Sequence, residues 1–260
     1  MRATRWVAVV ALVAVAGCGL STDTDTRAAP PPSSVAAQAA PPPSSVAAEA
    51  APQPTLPPAP PKSIVATAAA PAVNVFTIPS VAAESLGSLS NPNEMGVPLV
   101  FKVTAVERDW LQVMLPMRPN GITGWVRSAD VTLGESEWRA RVELGNHRLT
   151  VWRGNDVVTE TPVAVGTPSA PTPTGDFYLT EVLDTGNPGG AYGPYAFGLS
   201  AYSDVYTEFA GGPGQIGLHG TNAPGALGTD ASHGCIRVDN DTITQLASEL
   251  PVGSPITVTA

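Results

Sequence analysis

Gly217-Leu218-His219-Gly220-Thr221 and, ten positions beyond Thr221, Ala231-Ser232-His233-Gly234-Cys235-Ile236-Arg237 hold the densest cluster of reactive side chains in the 260-residue sequence. Two of the three histidines and one of the two cysteines lie in it. A thiol with a pKa of about 8.5 is only a few per cent thiolate at neutral pH, so a catalytic cysteine needs a neighbouring imidazole. Either His219 or His233 could supply it. His233 is two residues from Cys235, which in an extended chain puts both side chains on one face, whereas His219 reaches the thiol only through the fold. Gly234, just before the thiol, lets the backbone approach a substrate and present N–H groups to a developing oxyanion. Two other readings compete with nucleophilic catalysis. Zinc would want ligand pairs such as C-x-x-C or H-x-x-x-H, which do not occur, although a three-ligand site stays formally open. A buried, inert cysteine with satisfied core histidines is the other.

Outward from the cluster, Asp239 is a candidate N-cap for a helix from Asn240 to Leu250, with Ile243, Leu246, Ala247 and Leu250 at i, i+3, i+4 and i+7 spacing. Pro251 and Gly253 end it, and Ile256 to Thr259 reads as a last strand. Upstream, Arg141 to Leu144 and Arg148 to Trp152 alternate across a Gly145-Asn146 turn, a hairpin signal. Val157 to Val165 continues the strands. Gly166 to Gly175, with three prolines, is a rigid loop before Phe177-Tyr178-Leu179-Thr180. Tyr192 and Tyr195 lie in a Gly/Pro-rich loop able to cover the thiol, and His147, beside the hairpin turn, reads as a surface residue. The whole from 137 to 260 is a mainly β domain with one or two short helices.

Before it, Val73 to about Leu133 shows short apolar stretches broken by turn residues: Val73 to Ile78, Pro98 to Val106, Trp110 to Leu115 and Trp125 to Val131. Trp110 and Trp125 read as core residues of a small β-domain. Between Ala28 and Ala72, 29 of 45 residues are proline or alanine, which forms no packed core and reads as a disordered tether. From Val73 onward 9 Lys+Arg stand against 19 Asp+Glu, so nothing supplies a phosphate-neutralising surface and nucleic acid is excluded as a partner.

Arg2 and Arg5 precede an apolar run from Trp6 to Ala16, the layout of a signal peptide and too short to span a bilayer comfortably. Val15-Ala16-Gly17-Cys18 resembles a bacterial lipobox, in which the cysteine sulfur is lipidated and becomes the first mature residue; an ordinary secretory peptide is the alternative. With Cys18 consumed by lipid, Cys235 has no intramolecular partner, and catalysis accounts for an exported free thiol.

The H-G-T of His219 to Thr221, followed by the S-H-G-C-I-R of Ser232 to Arg237, resembles the signature of the L,D-transpeptidase, or YkuD-type, catalytic domain. Pro171-Thr172-Pro173-Thr174-Gly175-Asp176-Phe177 is similar to the Pro-Thr-Pro-x-Gly-x-aromatic loop of that family. Asp109 to Val113 with Gly121 to Val126 resembles the closing strands of a bacterial SH3-like barrel. The resemblance implies a mainly β, sandwich-type catalytic domain over 137–260, an SH3-like barrel over 73–134, a lipidated cysteine and linker over 18–72, and a signal peptide over 1–17. It implies Cys235 as nucleophile on the third residue of a peptidoglycan stem peptide, expelling a terminal D-alanine, and His219 as base, oriented by the Gly220 carbonyl. Gly234 and Cys235 would supply oxyanion N–H groups, His233 would line the pocket, and Ser232 would brace the loop. Arg237, Thr221 and Tyr192 are the candidate substrate contacts. An amine of a second, diaminopimelate-bearing stem would resolve the thioester as a 3→3 cross-link. Water would make the chain an L,D-carboxypeptidase, and a vestigial thiol would leave a non-catalytic wall-binding lipoprotein. Carbapenem acylation of Cys235 is expected; no cofactor or metal is implied. The expected protein is an exported, lipid-anchored monomer acting in the cell wall.

Overall fold

The computed structural model describes residues 62–260. The expected signal peptide, Cys18 and most of the expected tether fall outside them. The chain is mainly β, with two large sheets joined through Glu137 within one compact unit.

The first sheet holds β1 (Ser63–Ala68), β2 (Ala72–Phe76), β3 (Ser85–Ser90), β4 (Val100–Glu107), β5 (Trp110–Met114), β6 (Thr123–Arg127) and β7 (Val131–Ser136), in the spatial order β3-β2-β6-β5-β4-β1-β7. Its boundary differs from the sequence expectation. β1 lies inside the stretch read as linker, yet pairs antiparallel with both β4 and β7 and buries Ala66 completely. Half of its six residues are alanine or threonine, which a Pro/Ala-rich context hides. The tryptophans also differ from expectation. Period-2 alternation sends Leu111, Val113 and Val126 into the core, leaving Trp110 and Trp125 half-buried on the opposite face. There Phe76 meets the Trp110 ring edge-on, with centroids 5.5 Å apart, and pairs in register with Trp125.

The second sheet holds β8 (Trp138–Glu143), β9 (Arg148–Arg153), β10 (Asp156–Pro162), β12 (Gly175–Asp184), β13 (Tyr195–Tyr202), β14 (Gln215–His219), β16 (Ile236–Arg237) and β17 (Pro255–Thr259). Their order is β10-β9-β8-β17-β12-β13-β14-β16, and β11 (Val165–Gly166) pairs in parallel with β15 (Asp230–Ser232) beside it. The expected hairpin is β8–β9, its turn spanning 144–147, with His147 at φ +48° and hydrogen-bonded through Nε2 to Asp230 at 2.8 Å. Helix α1 (Asn240–Glu249) starts where the sequence places it, the Asp239 carboxylate accepting from the Thr242 N–H. Such a cap is worth about 1 kcal/mol. The wholly buried Ile243 and Leu246 press α1 onto the main core with Phe177, Phe197, Leu218 and Ile236. Each contributes about 1.5–3 kcal/mol of burial, more than the cap, so packing rather than capping holds the helix.

The sheets meet through a small apolar cluster of Val65, Val100, Met114 and Tyr178. The Tyr178 hydroxyl donates to the Val100 carbonyl at 3.1 Å and the Tyr202 hydroxyl to the Pro116 carbonyl at 2.7 Å. Among the described residues, no helix is long and apolar enough to cross a membrane.

Candidate active site

His219 closes β14 and Cys235 leads into β16, and these two strands run parallel, with Leu218 opposite Ile236 and His219 opposite Arg237. Residues 16 apart in sequence are thereby brought to neighbouring strand ends. Both line one cavity of about 220 Å³, together with Ala191, Tyr192, Phe209, Ala210, His233 and Arg237. A Cβ placed on Gly217 would have His219 Cδ2 at 3.6 Å and Cys235 Sγ at 3.9 Å, so imidazole and thiol flank the same point of β14.

The His219 ring is buried, and its Nδ1 lies 2.6 Å from the Gly220 carbonyl oxygen. A carbonyl only accepts, so Nδ1 carries the proton and Nε2 is left as the basic nitrogen. Burial pulls the His219 pKa down to about 4, against the smaller opposite pull of the Gly220 bond. Burial pushes the Cys235 thiol up, partly offset by the Gly217 N–H, which donates to Sγ at 3.4 Å, and by Arg237. Opposite shifts of acid and base favour a neutral thiol–imidazole pair at rest over a thiolate–imidazolium pair. Tyr192 covers the imidazole, its ring centroid 4.7 Å from that of His219. Its loop can approach because Gly193, at φ +62°, lies against Gly220; a Cβ there would meet Gly220 Cα at 2.6 Å.

The thiol loop is braced from beneath. Gly234, at φ +118°, is in a conformation that favours glycine. Its carbonyl accepts from the Thr172 hydroxyl at 2.8 Å, and that hydroxyl accepts from the Gly166 N–H at 2.9 Å. The proline-rich loop thus holds the thiol loop. The Ser232 hydroxyl donates to the Cys235 carbonyl, the expected bracing position, and accepts the Gly234 N–H at 3.1 Å. The Gly234 amide is therefore turned to Ser232.

Other residues separate by position. Arg237 lines the cavity and has a buried Nε without a hydrogen-bond partner. His233 is exposed and stacks near Phe209, centroids 5.3 Å apart, and Tyr206, 6.0 Å apart. Thr221 is not brought to the cavity. Its N–H donates to Asn240 Oδ1 at 2.8 Å and its hydroxyl accepts from the Ala223 N–H at 3.0 Å, so it shapes the turn after β14. Tyr195 begins β13 and packs on the core instead of covering the thiol. Among the described residues, no group of three or more His, Cys, Asp or Glu could hold a metal ion.

No local sequence signal marks the loop between β13 and β14, which brings Phe209 and Ala210 to the thiol. That loop is held from the first sheet. Arg118 donates to the carbonyls of Pro213 at 2.8 Å, Tyr206 at 2.8 Å and Ser203 at 3.1 Å, its guanidinium 4.9 Å from the Tyr202 ring centroid. Asn120 exchanges two 2.8 Å hydrogen bonds with the backbone of Tyr202. A second cavity of about 220 Å³ extends from Cys235 along β13 and β14 to Glu181 and to Met95, in the loop between β3 and β4.

The family model of the L,D-transpeptidase catalytic domain matches residues 137–258. The YkuD protein of Bacillus subtilis is 37% identical over 117 residues, 45% of this chain and 63% of that protein. The YqjB protein of the same organism is 31% identical over 129 residues, 45% of this chain and 69% of its own length. L,D-transpeptidase 1 of Mycobacterium tuberculosis is 28% identical over 222 residues, covering 70% of this chain and 85% of that one. The chain thus spans a little under two thirds of the first of these relatives. It belongs to the L,D-transpeptidase family, with a YkuD-type catalytic domain.

Proposed function

We propose that this chain is a peptidoglycan L,D-transpeptidase that works through a Cys235 thioester. The observation that carries this reading is the buried His219 imidazole, fixed by the 2.6 Å contact of Nδ1 with the Gly220 carbonyl and sharing one cavity with the Cys235 thiol. Fixing Nδ1–H leaves Nε2 as the only proton acceptor of the ring. His219 Nε2 takes the thiol proton as sulfur attacks the carbonyl of the third stem residue. The tetrahedral oxyanion is met by backbone N–H groups, chiefly that of Cys235, since the Gly234 amide is engaged by Ser232. Collapse breaks the C–N bond, and the imidazolium returns its proton to the departing D-alanine amine. The amine of a second stem, deprotonated by His219, then attacks the thioester and forms the 3→3 cross-link, releasing the thiol.

Arg237, whose buried Nε has no hydrogen-bond partner, suits a substrate carboxylate. Tyr192 and His233 shape the walls, and carbapenems acylate the same sulfur. The first sheet serves as an SH3-like module. Export and lipidation at Cys18 would place the monomer at the outer face of the cytoplasmic membrane, within reach of the wall. The test is incubation of the full chain with a diaminopimelate tetrapeptide stem, with products read by mass spectrometry. D-alanine release with a Cys235-dependent dimer is expected. Free tripeptide alone would make the chain an L,D-carboxypeptidase, and no product in a sample that also resists carbapenem would favour the wall-binding alternative.

A further inference from the structure

Glu181 is a buried charged side chain that the reaction above leaves unused. It is 4% exposed and sits in β12 opposite Gly198 of β13, and Gly198 in turn sits opposite Gly217 of β14. Directly opposed residues of antiparallel neighbours share a face of the sheet. Cys235 comes next in line, because the following residues, Leu218 and Ile236, are paired. A carboxylate and a thiol therefore end a row whose two middle positions carry no side chain. A Cβ at Gly198 would come within 1.8 Å of Glu181 Oε1, and one at Gly217 would lie 3.9 Å from Cys235 Sγ. With opposed Cβ positions about 5 Å apart, carboxylate oxygen and sulfur are at most about 11 Å from each other. The cavity along this row is walled by Met95, Tyr192 and Phe209.

The carboxylate is held only by neutral groups. Gln215 Nε2 donates to Oε1 at 3.0 Å and Asn93 Nδ2 to Oε2 at 3.2 Å. Glu181 takes part in none of the ion pairs among the described residues. A carboxylate offers about four acceptor sites, so capacity remains, and a buried charge without a counter-charge is costly. Accordingly, burial raises the Glu181 pKa against the pull of its hydrogen bonds with Thr180, Gln215 and Asn93. A bound cation would relieve that cost. The opposite end of the row fixes what kind of cation fits, since an acyl donor must place its carbonyl on the sulfur. Allowing a hydrogen bond of about 2.9 Å at the carboxylate leaves at most about 8 Å to the sulfur. An alkyl chain of about four methylenes bridges that gap over the glycine floor.

We propose that Glu181, with Gln215 and Asn93, forms a subsite for a primary ammonium at the far end of the side chain on the same residue whose carbonyl meets Cys235. Gly198 and Gly217 are its floor. The proposal rests on the acyl-donor reading of the cleft, and it makes the enzyme selective for the third stem residue.

Binding separates the subsite from the chemistry. In the full-length Cys235→Ala chain, a tetrapeptide stem with lysine at its third position should bind at least 10-fold tighter by calorimetry than the same stem with norleucine. Adding Glu181→Gln should bring the two within about twofold. A ratio near one before that change, or a ratio that survives it, overturns the proposal. Should Glu181→Gln fail to fold, Glu181→Asp, which withdraws the carboxylate by one methylene, should lower the ratio; an unchanged ratio overturns the proposal equally. Release of D-alanine by the Cys235 chain is read separately. Amine-dependent binding without turnover would sink the acyl-transfer reading alone, and turnover with equal binding of the two stems would sink the subsite alone.

Discussion

In the eight-stranded sheet the proposed chemistry sits on neighbouring strand ends, His219 closing β14 and Cys235 leading into β16, whereas the seven-stranded sheet reaches the cleft through loop residues, among them Asn93, Met95 and Arg118. The first arrangement fixes reacting atoms through backbone pairing. The second fixes a wall: three carbonyls of the loop that carries Phe209 are tied to one guanidinium. A β-domain without a reactive group of its own can thus decide the shape of an active site next door, and the two kinds of contribution should fail differently.

The largest effect belongs to the strand ends. Cys235→Ala should abolish D-alanine release, a loss of more than about 10³-fold, while a thermal melt stays close to that of the parent. His219→Ala should cost about 10²–10⁴-fold in acylation. The neutral resting pair adds a pH signature. The thiol pKa is raised, so alkylation of Cys235 by iodoacetamide should keep climbing with pH beyond the usual thiol range. His219, with its pKa lowered to about 4, should stay an unprotonated base through the neutral region. An alkylation plateau below neutrality would instead mean a thiolate–imidazolium pair.

Arg118→Ala sharpens the comparison from the other side. It should lower kcat/KM for a stem by about 10-fold, mostly through KM, and leave iodoacetamide alkylation of Cys235 unchanged, because a small reagent needs no wall. Millimolar guanidinium should restore part of the loss. Equal damage to both reactions would mean that the first sheet supports the thiol itself. The smallest effect expected is that of Tyr178→Phe, which removes the hydroxyl bond to Val100. It should cost about 1–2 kcal/mol in denaturant unfolding with little change in turnover.

The same contrast explains what the sequence disclosed. His219, Gly234 and Cys235 lie in two short runs, so their residue types alone point to the proposed chemistry, and the α1 cap and face follow from local rules. Arg118, Phe209 and Glu181 lie in three separate segments. Their roles come from non-local pairing, the β12–β13–β14 register and the seating of one sheet on the other, which no local periodicity encodes. β1 was hidden by its alanines, and Trp110 was misplaced because alternation gives two faces without saying which is buried. Thr221 carried a motif position, yet its hydroxyl is spent on the turn.

The most direct test of the account is intact-mass spectrometry of the full chain, quenched in acid during turnover of a diaminopimelate tetrapeptide stem. The expected species is an adduct equal to the stem less D-alanine, mapped by peptide digestion to Cys235 and absent in Cys235→Ala. D-alanine release with no adduct at Cys235, or release that persists in Cys235→Ala, would contradict it.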